Sequence, residues 1–202
     1  RHAHGPTIVF LHEGLGSVAL WRDFPDKVAR RMGAPALVYS RFGYGQSDGL
    51  LAKNTPHFMH DEALGVLPRL LDALSIERAV VVGHDWGGIV AWQMALLASH
   101  RVAGVVGINT PFFPRMPVRP TDMLRAISQG NFNYVLYFQT PGVAEAELNA
   151  NVRRTLGGFL QSVDREQLNA ALATGPAAMG PPEGGLLDRL PPRFGHRRDD
   201  DA

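Results

Sequence analysis

The sequence contains no cysteine. That excludes disulfides, thiolate metal sites and a cysteine nucleophile, and it leaves the redox compartment open. No apolar run approaches the roughly 18 residues of a membrane span. The opening Arg1-His2-Ala3-His4-Gly5-Pro6 lacks the apolar stretch of a secretory leader, so a cytoplasmic location is expected. Net charge is only +1, which gives no electrostatic reason to expect nucleic acid or an anionic membrane as partner. No pairing of histidines with spaced carboxylates suggests a metal. Gly43-x-Gly45 lacks the third glycine of a dinucleotide-binding loop, and no cofactor is expected. Tyrosine is scarce: Tyr39, Tyr44, Tyr134 and Tyr137 are the whole set.

What is present is an ordinary globular composition, 45% hydrophobic and 19% charged over 202 residues, enough for one domain with a real core. Short apolar runs predict buried strands at Thr7–His12, Ala36–Ser40, Ala79–Gly83 and Val102–Asn109. Helical patterns lie between them, at Phe24–Met32, Asp61–Leu74 and Ile89–Ser99. Within the second, Leu64, Leu67, Leu70, Leu71 and Leu74 share one helix face. Alternating strands and helices predict an α/β fold, a mostly parallel sheet with helices on both faces.

After Asn109 the texture changes. Pro111, Pro114, Pro117 and Pro120 exclude a regular element. Thr121–Gln129, Tyr134–Gln139, Val143–Leu160 and Arg165–Ala173 then read as helices of a cap. The segment Gly175–Ala202 is rich in Gly and Pro and is expected to be mostly disordered. The organisation expected is a core over 1–110, a helical cap over 111–175 and a tail over 176–202.

The most informative stretch is Gly83-His84-Asp85-Trp86-Gly87-Gly88. An apolar run precedes it and a helical pattern follows it. Strand, G-x-nucleophile-x-G, helix is the context of a nucleophile elbow, where glycines flank a turn too tight for neighbouring Cβ atoms. The central residue is Asp, so the chemistry indicated is carboxylate attack and an ester-linked intermediate. An aspartate has an ordinary pKa of about 3.9 and needs no base for that step. The plainer reading of Asp85 is a helix N-cap.

These residues give the chain a resemblance to the α/β-hydrolase superfamily. From Gly83 to about Leu160 it is similar to the epoxide hydrolases, through the elbow, Asn109-Thr110-Pro111-Phe112, Tyr134-Val135-Leu136-Tyr137-Phe138-Gln139, Pro141–Leu148 and Arg153-Arg154-Thr155-Leu156. The earlier His12-Glu13-Gly14-Leu15-Gly16-Ser17 and Ser40–Asp48 resemble serine ester hydrolases instead, and the first lacks the proline usual in epoxide hydrolases. The resemblance implies a partial fold with a sheet of about four strands, since the family carries its acid and its histidine beyond the cap. An unpaired sheet edge allows self-association.

The resemblance also assigns roles. Asp85 is the nucleophile, opening a small apolar epoxide to an alkyl-enzyme ester that water converts to a diol. Tyr134 is the proton donor to the epoxide oxygen, with Tyr137 as the second candidate. Main-chain N–H groups of Trp86 and Leu15 form the oxyanion site. Trp86 reads alternatively as pocket wall, and His12 as a structural hydrogen-bonding residue. His84 is expected to point away from Asp85. His196, in a Gly-His dipeptide, is the remaining candidate for the water-activating base. Ser47 and Asp48 read as part of a tight turn. Other readings are a haloalkane dehalogenase, an ester hydrolase, or a truncated, non-catalytic hydrolase fragment.

Overall fold

A computed structural model describes residues 5–47, 62–159 and 183–189. The chain divides into two compact units, Arg1–Pro114 and Arg115–Ala202.

The first unit is built on a parallel sheet of β1 (Thr7–Leu11), β2 (Ala36–Val38), β3 (Ala79–His84) and β4 (Val102–Ile108), in the order β2-β1-β3-β4. Strands β1 and β3 are central and buried on both faces, which is why their sequences are nearly continuous runs of Val, Ile, Leu and Phe. Their side chains alternate between two cores. Val9, Leu11 and Val81 face helices α2 (Leu67–Ala73) and α3 (Trp86–Leu97), packing with Leu67, Leu71, Val90, Ala91 and Met94. Ile8, Phe10 and Val82 face the other side, with Trp21 and with Val28 of α1 (Phe24–Met32). The expected α/β arrangement, with helices on both faces, is present.

Helix α1 ends where Gly33 turns left-handed at φ 60° and its N–H reaches the Ala29 carbonyl. The expected leucine face of the next helix is only partly realised. Leu67 and Leu71 are buried, but Leu64 and Leu74 are exposed and Ala63 is buried instead. Residues Glu62–Val66 form a π-helical turn. The extra residue in that turn moves the inward face back from Leu64 to Ala63, and Leu74 caps the helix end.

The chain runs from β1 outward to β2, then returns to place β3 on the opposite side of β1. Loops leaving β1 and β3 therefore diverge at the carboxyl ends of adjacent strands, the topological switch point where open α/β sheets hold ligands.

The second unit holds α4 (Pro120–Ser128), α5 (Tyr134–Tyr137), α6 (Val143–Ala150) and α7 (Val152–Phe159). The single helix expected over Val143–Leu160 is two. Asn151 breaks it, and its side chain accepts the Arg154 N–H at 2.9 Å, the bond of a helix N-cap.

Residues 183–189, within the segment expected to be mostly disordered, are held by the helices before them. Glu147 of α6 accepts the N–H groups of Leu186 at 3.0 Å and Leu187 at 2.8 Å. Asp188 pairs with Arg154 at 3.0 Å, and the Arg189 guanidinium lies 3.8 Å over the Phe132 ring. The segment has too little apolar content to fold alone, but it borrows acceptors and a ring from the helices before it. The helix expected over Arg165–Ala173 and the remainder of the tail lie outside the described residues.

Candidate active site at the strand-to-helix elbow

Asp85 joins β3 directly to α3 with φ 52° and ψ −118°, a conformation that L-residues rarely adopt. Its neighbours show how tight the turn is. A Cβ on Gly83 would lie 2.5 Å from the Gly88 nitrogen, and one on Gly87 would lie 2.7 Å from the His12 carbonyl oxygen. Asp85 occupies the cap position of α3, yet its side chain makes no capping hydrogen bond. The N-cap explanation of this residue therefore has no bond to support it among the described residues.

The Asp85 main chain is clamped from β4. Its N–H donates to the Ile108 carbonyl at 3.3 Å, and the Thr110 hydroxyl donates to its carbonyl at 3.0 Å. The Trp92 indole N–H in turn donates to the Thr110 carbonyl at 2.9 Å. Gly88 has to be small because a Cβ there would lie 2.7 Å from that of Thr110. The sequence marked Asn109-Thr110 only as a point of resemblance. Its work in holding the turn was missed, and the one signal for it was a hydroxyl residue just past the strand beside the elbow.

The loop after β1 lies on the elbow. Gly14 faces the indole of Trp86, where a Cβ would come within 3.0 Å of Nε1. As first residue of α3, Trp86 has a main-chain N–H with no intrahelical acceptor. The Trp86 and Leu15 side chains are both exposed, Leu15 at 74%. Any oxyanion role of these two residues falls to their main chains.

His12 is structural in geometry. It is buried, its Nδ1 pairs with the Glu13 carbonyl oxygen at 2.7 Å, and its Nε2 accepts the Arg41 N–H at 2.9 Å. Those bonds fix a neutral tautomer, with the proton on Nδ1. Burial holds its pKa below the ordinary imidazole value, the Glu13 carbonyl opposes this and the Arg41 charge adds to it. Arg41 is itself fully buried, stacks 4.8 Å over the Tyr44 ring and donates from Nη2 to the Glu13 carbonyl at 3.2 Å.

The tight turn expected around Ser47 is formed by Tyr44 N–H to the Arg41 carbonyl at 2.9 Å and Ser47 N–H to the Tyr44 carbonyl at 3.0 Å. The Ser47 hydroxyl is spent on the Ser40 carbonyl at 2.5 Å. Asp48 lies outside the described residues. His84 packs edge-on to Trp21, with ring centroids 6.4 Å apart, on the sheet face covered by α1.

Glu13 was not singled out from the sequence. Both its carboxyl oxygens are buried and neither has a hydrogen-bond partner among the described residues. Burial pushes its pKa up and Asp85 pushes the same way, while His84, Arg41 and its own main-chain N–H oppose them.

In the second unit, the two tyrosine candidates part company. The Tyr137 hydroxyl donates to Glu147, and burial together with that carboxylate raises its pKa to about 12. Tyr134 opens α5, is half exposed, and packs its ring against Phe138 at 6.4 Å. Asn133 fixes the start of α5 by accepting the N–H groups of Val135 at 3.0 Å and Leu136 at 3.3 Å. His196 lies outside the described residues. Among the described residues no grouping of His, Asp or Glu is able to hold a metal ion, and no helix is long and apolar enough to cross a membrane.

A strand, a strained Asp85 and a helix at the switch point of a parallel sheet is an arrangement with relatives. The family model for the alpha/beta hydrolase fold matches residues 6–184. The chain belongs to the α/β-hydrolase family. Within it, the chain is 37% identical to bifunctional epoxide hydrolase 2 of Sus scrofa, over 92% of this chain and 35% of that protein. It is 37% identical to epoxide hydrolase A of Mycobacterium tuberculosis, over 93% of this chain and 56% of that one. Among solved structures, an epoxide hydrolase from an endophytic Streptomyces superposes with a TM-score of 0.77 at 31% identity, covering 94% of this chain and 56% of its own. The hydrolase chain thus spans about half the length, or less, of the curated relatives it matches.

Proposed function

We propose that this chain carries the nucleophile half of an epoxide-opening reaction. The observation that supports it most is Asp85: a carboxylate at a strained strand-to-helix turn, free of any capping bond, in a chain whose relatives are epoxide hydrolases. In the first step an Asp85 oxygen attacks an epoxide carbon. The carbon–oxygen bond of the ring breaks, and an alkyl ester forms on the enzyme. Tyr134 gives the departing oxygen its proton. The choice of Tyr134 over Tyr137 is supported by the commitment of Tyr137 to Glu147. Water then attacks the ester and releases a diol. The Trp86 and Leu15 N–H groups are the donors proposed for the oxyanion of that second step. The substrate class proposed is a small apolar epoxide, with no cofactor. His196 is the proposed base by sequence alone, and His196→Ala tests it by the rate of ester hydrolysis.

The test is intact-mass measurement after exposure to styrene oxide. Wild type should gain the mass of one epoxide, transiently or stably, and Asp85→Asn should gain none. An adduct on both proteins, or on neither, would sink the role of Asp85. A haloalkane run in parallel distinguishes a dehalogenase, which would gain the alkyl group alone and release halide.

A further inference from the structure

We propose that Glu13 is a further catalytic residue of this site: a protonated carboxyl that donates a hydrogen bond to the oxyanion formed when water attacks the ester on Asp85. The proposal rests on the reading of Asp85 as nucleophile.

Glu13 opens the loop that lies on the elbow. Behind it the His12 carbonyl crowds Gly87, and ahead of it Gly14 crowds the Trp86 indole. Its carboxyl is tucked against Gly16, where a Cβ would clash with Oε1. Both oxygens are out of contact with solvent, and neither makes a hydrogen bond of ordinary geometry among the described residues, its own main-chain N–H being the one nearby donor that favours the ionised form. A charged carboxylate in such a place is strongly disfavoured, whereas the neutral acid is tolerated.

The neighbours do not change this. The His12 ring is engaged by the Glu13 carbonyl and the Arg41 N–H. The Arg41 guanidinium spends Nη2 on the Glu13 main-chain carbonyl, not on its carboxyl. Burial is the largest influence and raises its pKa, against His84, Arg41 and its own main-chain N–H, which favour the ionised form; the charge of Asp85 adds to burial until the ester forms. Two carboxyls that feel each other's charge, with one buried, divide the work of acid and nucleophile.

The step balances without a co-reactant. The water oxygen bonds to Asp85 Cγ, and the carbonyl electron pair moves onto oxygen. Glu13 O–H donates to that oxyanion beside the main-chain N–H groups of Trp86 and Leu15. Collapse restores the carbonyl and breaks the bond from Cγ to the alkyl oxygen. The proton lost by water leaves with that oxygen as alcohol, and Glu13 retains its own.

The experiment follows formation and decay of the styrene oxide adduct by intact mass from pH 5 to 9. In wild type the adduct decays, and decay slows as rising pH ionises Glu13. Glu13→Ala should form the adduct at the wild-type rate and lose it about 10²-fold more slowly, the usual cost of one oxyanion donor. Glu13→Gln, a neutral donor of the same size, should decay at close to the wild-type low-pH rate, with no slowing at high pH. A merely structural Glu13 would not flatten the pH profile in this way. The proposal is overturned if Glu13→Ala decays like wild type, if Glu13→Gln decays as slowly as Glu13→Ala, or if the wild-type adduct persists at every pH. If Glu13→Ala fails to fold, the pH profile of Glu13→Gln decides alone. Failure of the Asp85 reading is seen earlier and separately, as no adduct on wild type or an equal adduct on Asp85→Asn.

Discussion

The Thr110 hydroxyl donates to the main-chain carbonyl of Asp85 at 3.0 Å. Asp85 is thereby tied to the segment after β4, not only to its own strand and helix. The same carbonyl also accepts the N–H groups of Gly88 at 2.9 Å and Ile89 at 3.2 Å, so it is held from three sides. A turn at φ 52° persists only where its surroundings over-determine it.

Thr110→Val removes one of those three holds while keeping the shape of the side chain. The expected loss of stability is about 1 kcal/mol, the ordinary net worth of one hydrogen bond. Thermal unfolding checks it. The rate of adduct formation at Asp85 should fall as well, because the turn relaxes, and Thr110→Ser should restore both.

Asp85→Gly should do the opposite to stability. Glycine adopts φ near 52° without the steric cost that aspartate bears, and the relief is worth about 1 kcal/mol or more. The variant should melt at a higher temperature than wild type and form no ester. A lower melting temperature would mean that the Asp85 side chain stabilises the fold in ways the structure does not show.

Gly87→Ala tests the approach of β1 to α3. The added Cβ would meet the main-chain carbonyls of Leu11 and His12, the second at 2.7 Å, and neither is a flexible side-chain end. A cost of about 3 kcal/mol is expected, the upper range for overpacking. Denaturant unfolding should show a lowered midpoint with an unchanged slope. Gly33→Ala is the control, since nothing lies within 4 Å of its Cβ position and only its left-handed φ is strained.

The second unit should be acid-sensitive through Glu147. Burial alone would raise its pKa, but the Tyr137 hydroxyl and the N–H groups of Leu187 and Leu186 outweigh burial and hold it below the ordinary 4.5. A lowered pKa in the folded state means stability present above pH 4.5 and lost as pH falls through the folded value. Glu147→Gln should therefore melt below wild type at neutral pH, with the gap closing in acid. Thermal melts between pH 3 and pH 7 measure that gap. A gap independent of pH would deny the carboxylate its part in holding Leu186 and Leu187.

The sheet and the elbow were legible because their signals are local and one-sided. Ala79–His84 is an apolar run that leads into a glycine-flanked Asp, and the glycines set that turn apart from an ordinary helix N-cap. The leucine face of Asp61–Leu74 misled because a π turn changes the helical period without any mark in the sequence. Asn151 was hidden inside a continuous helical pattern, although Asn is a capping residue by nature. Glu13 escaped notice for a different reason. A charged residue just past a strand ordinarily faces water, and its burial depends on how the loop folds onto Trp86 and against Gly16. Tyr137 was ranked behind Tyr134 on resemblance, and its tie to Glu147 is a contact between residues of separate helices.

The strand order β2-β1-β3-β4 also bears on how the molecule comes together. Strand β3, helix α3 and strand β4 are consecutive, so the elbow and the Thr110 hold on it arise from short-range contacts that close quickly. Strand β1 pairs with β3 only after the long intervening chain has been brought round, and the entropy of that closure is lost before the pairing returns anything. The loop from His12 to Gly16 travels with β1. Refolding should therefore show the Asp85 turn protected early against hydrogen exchange, with the Glu13 loop joining it in the slowest phase.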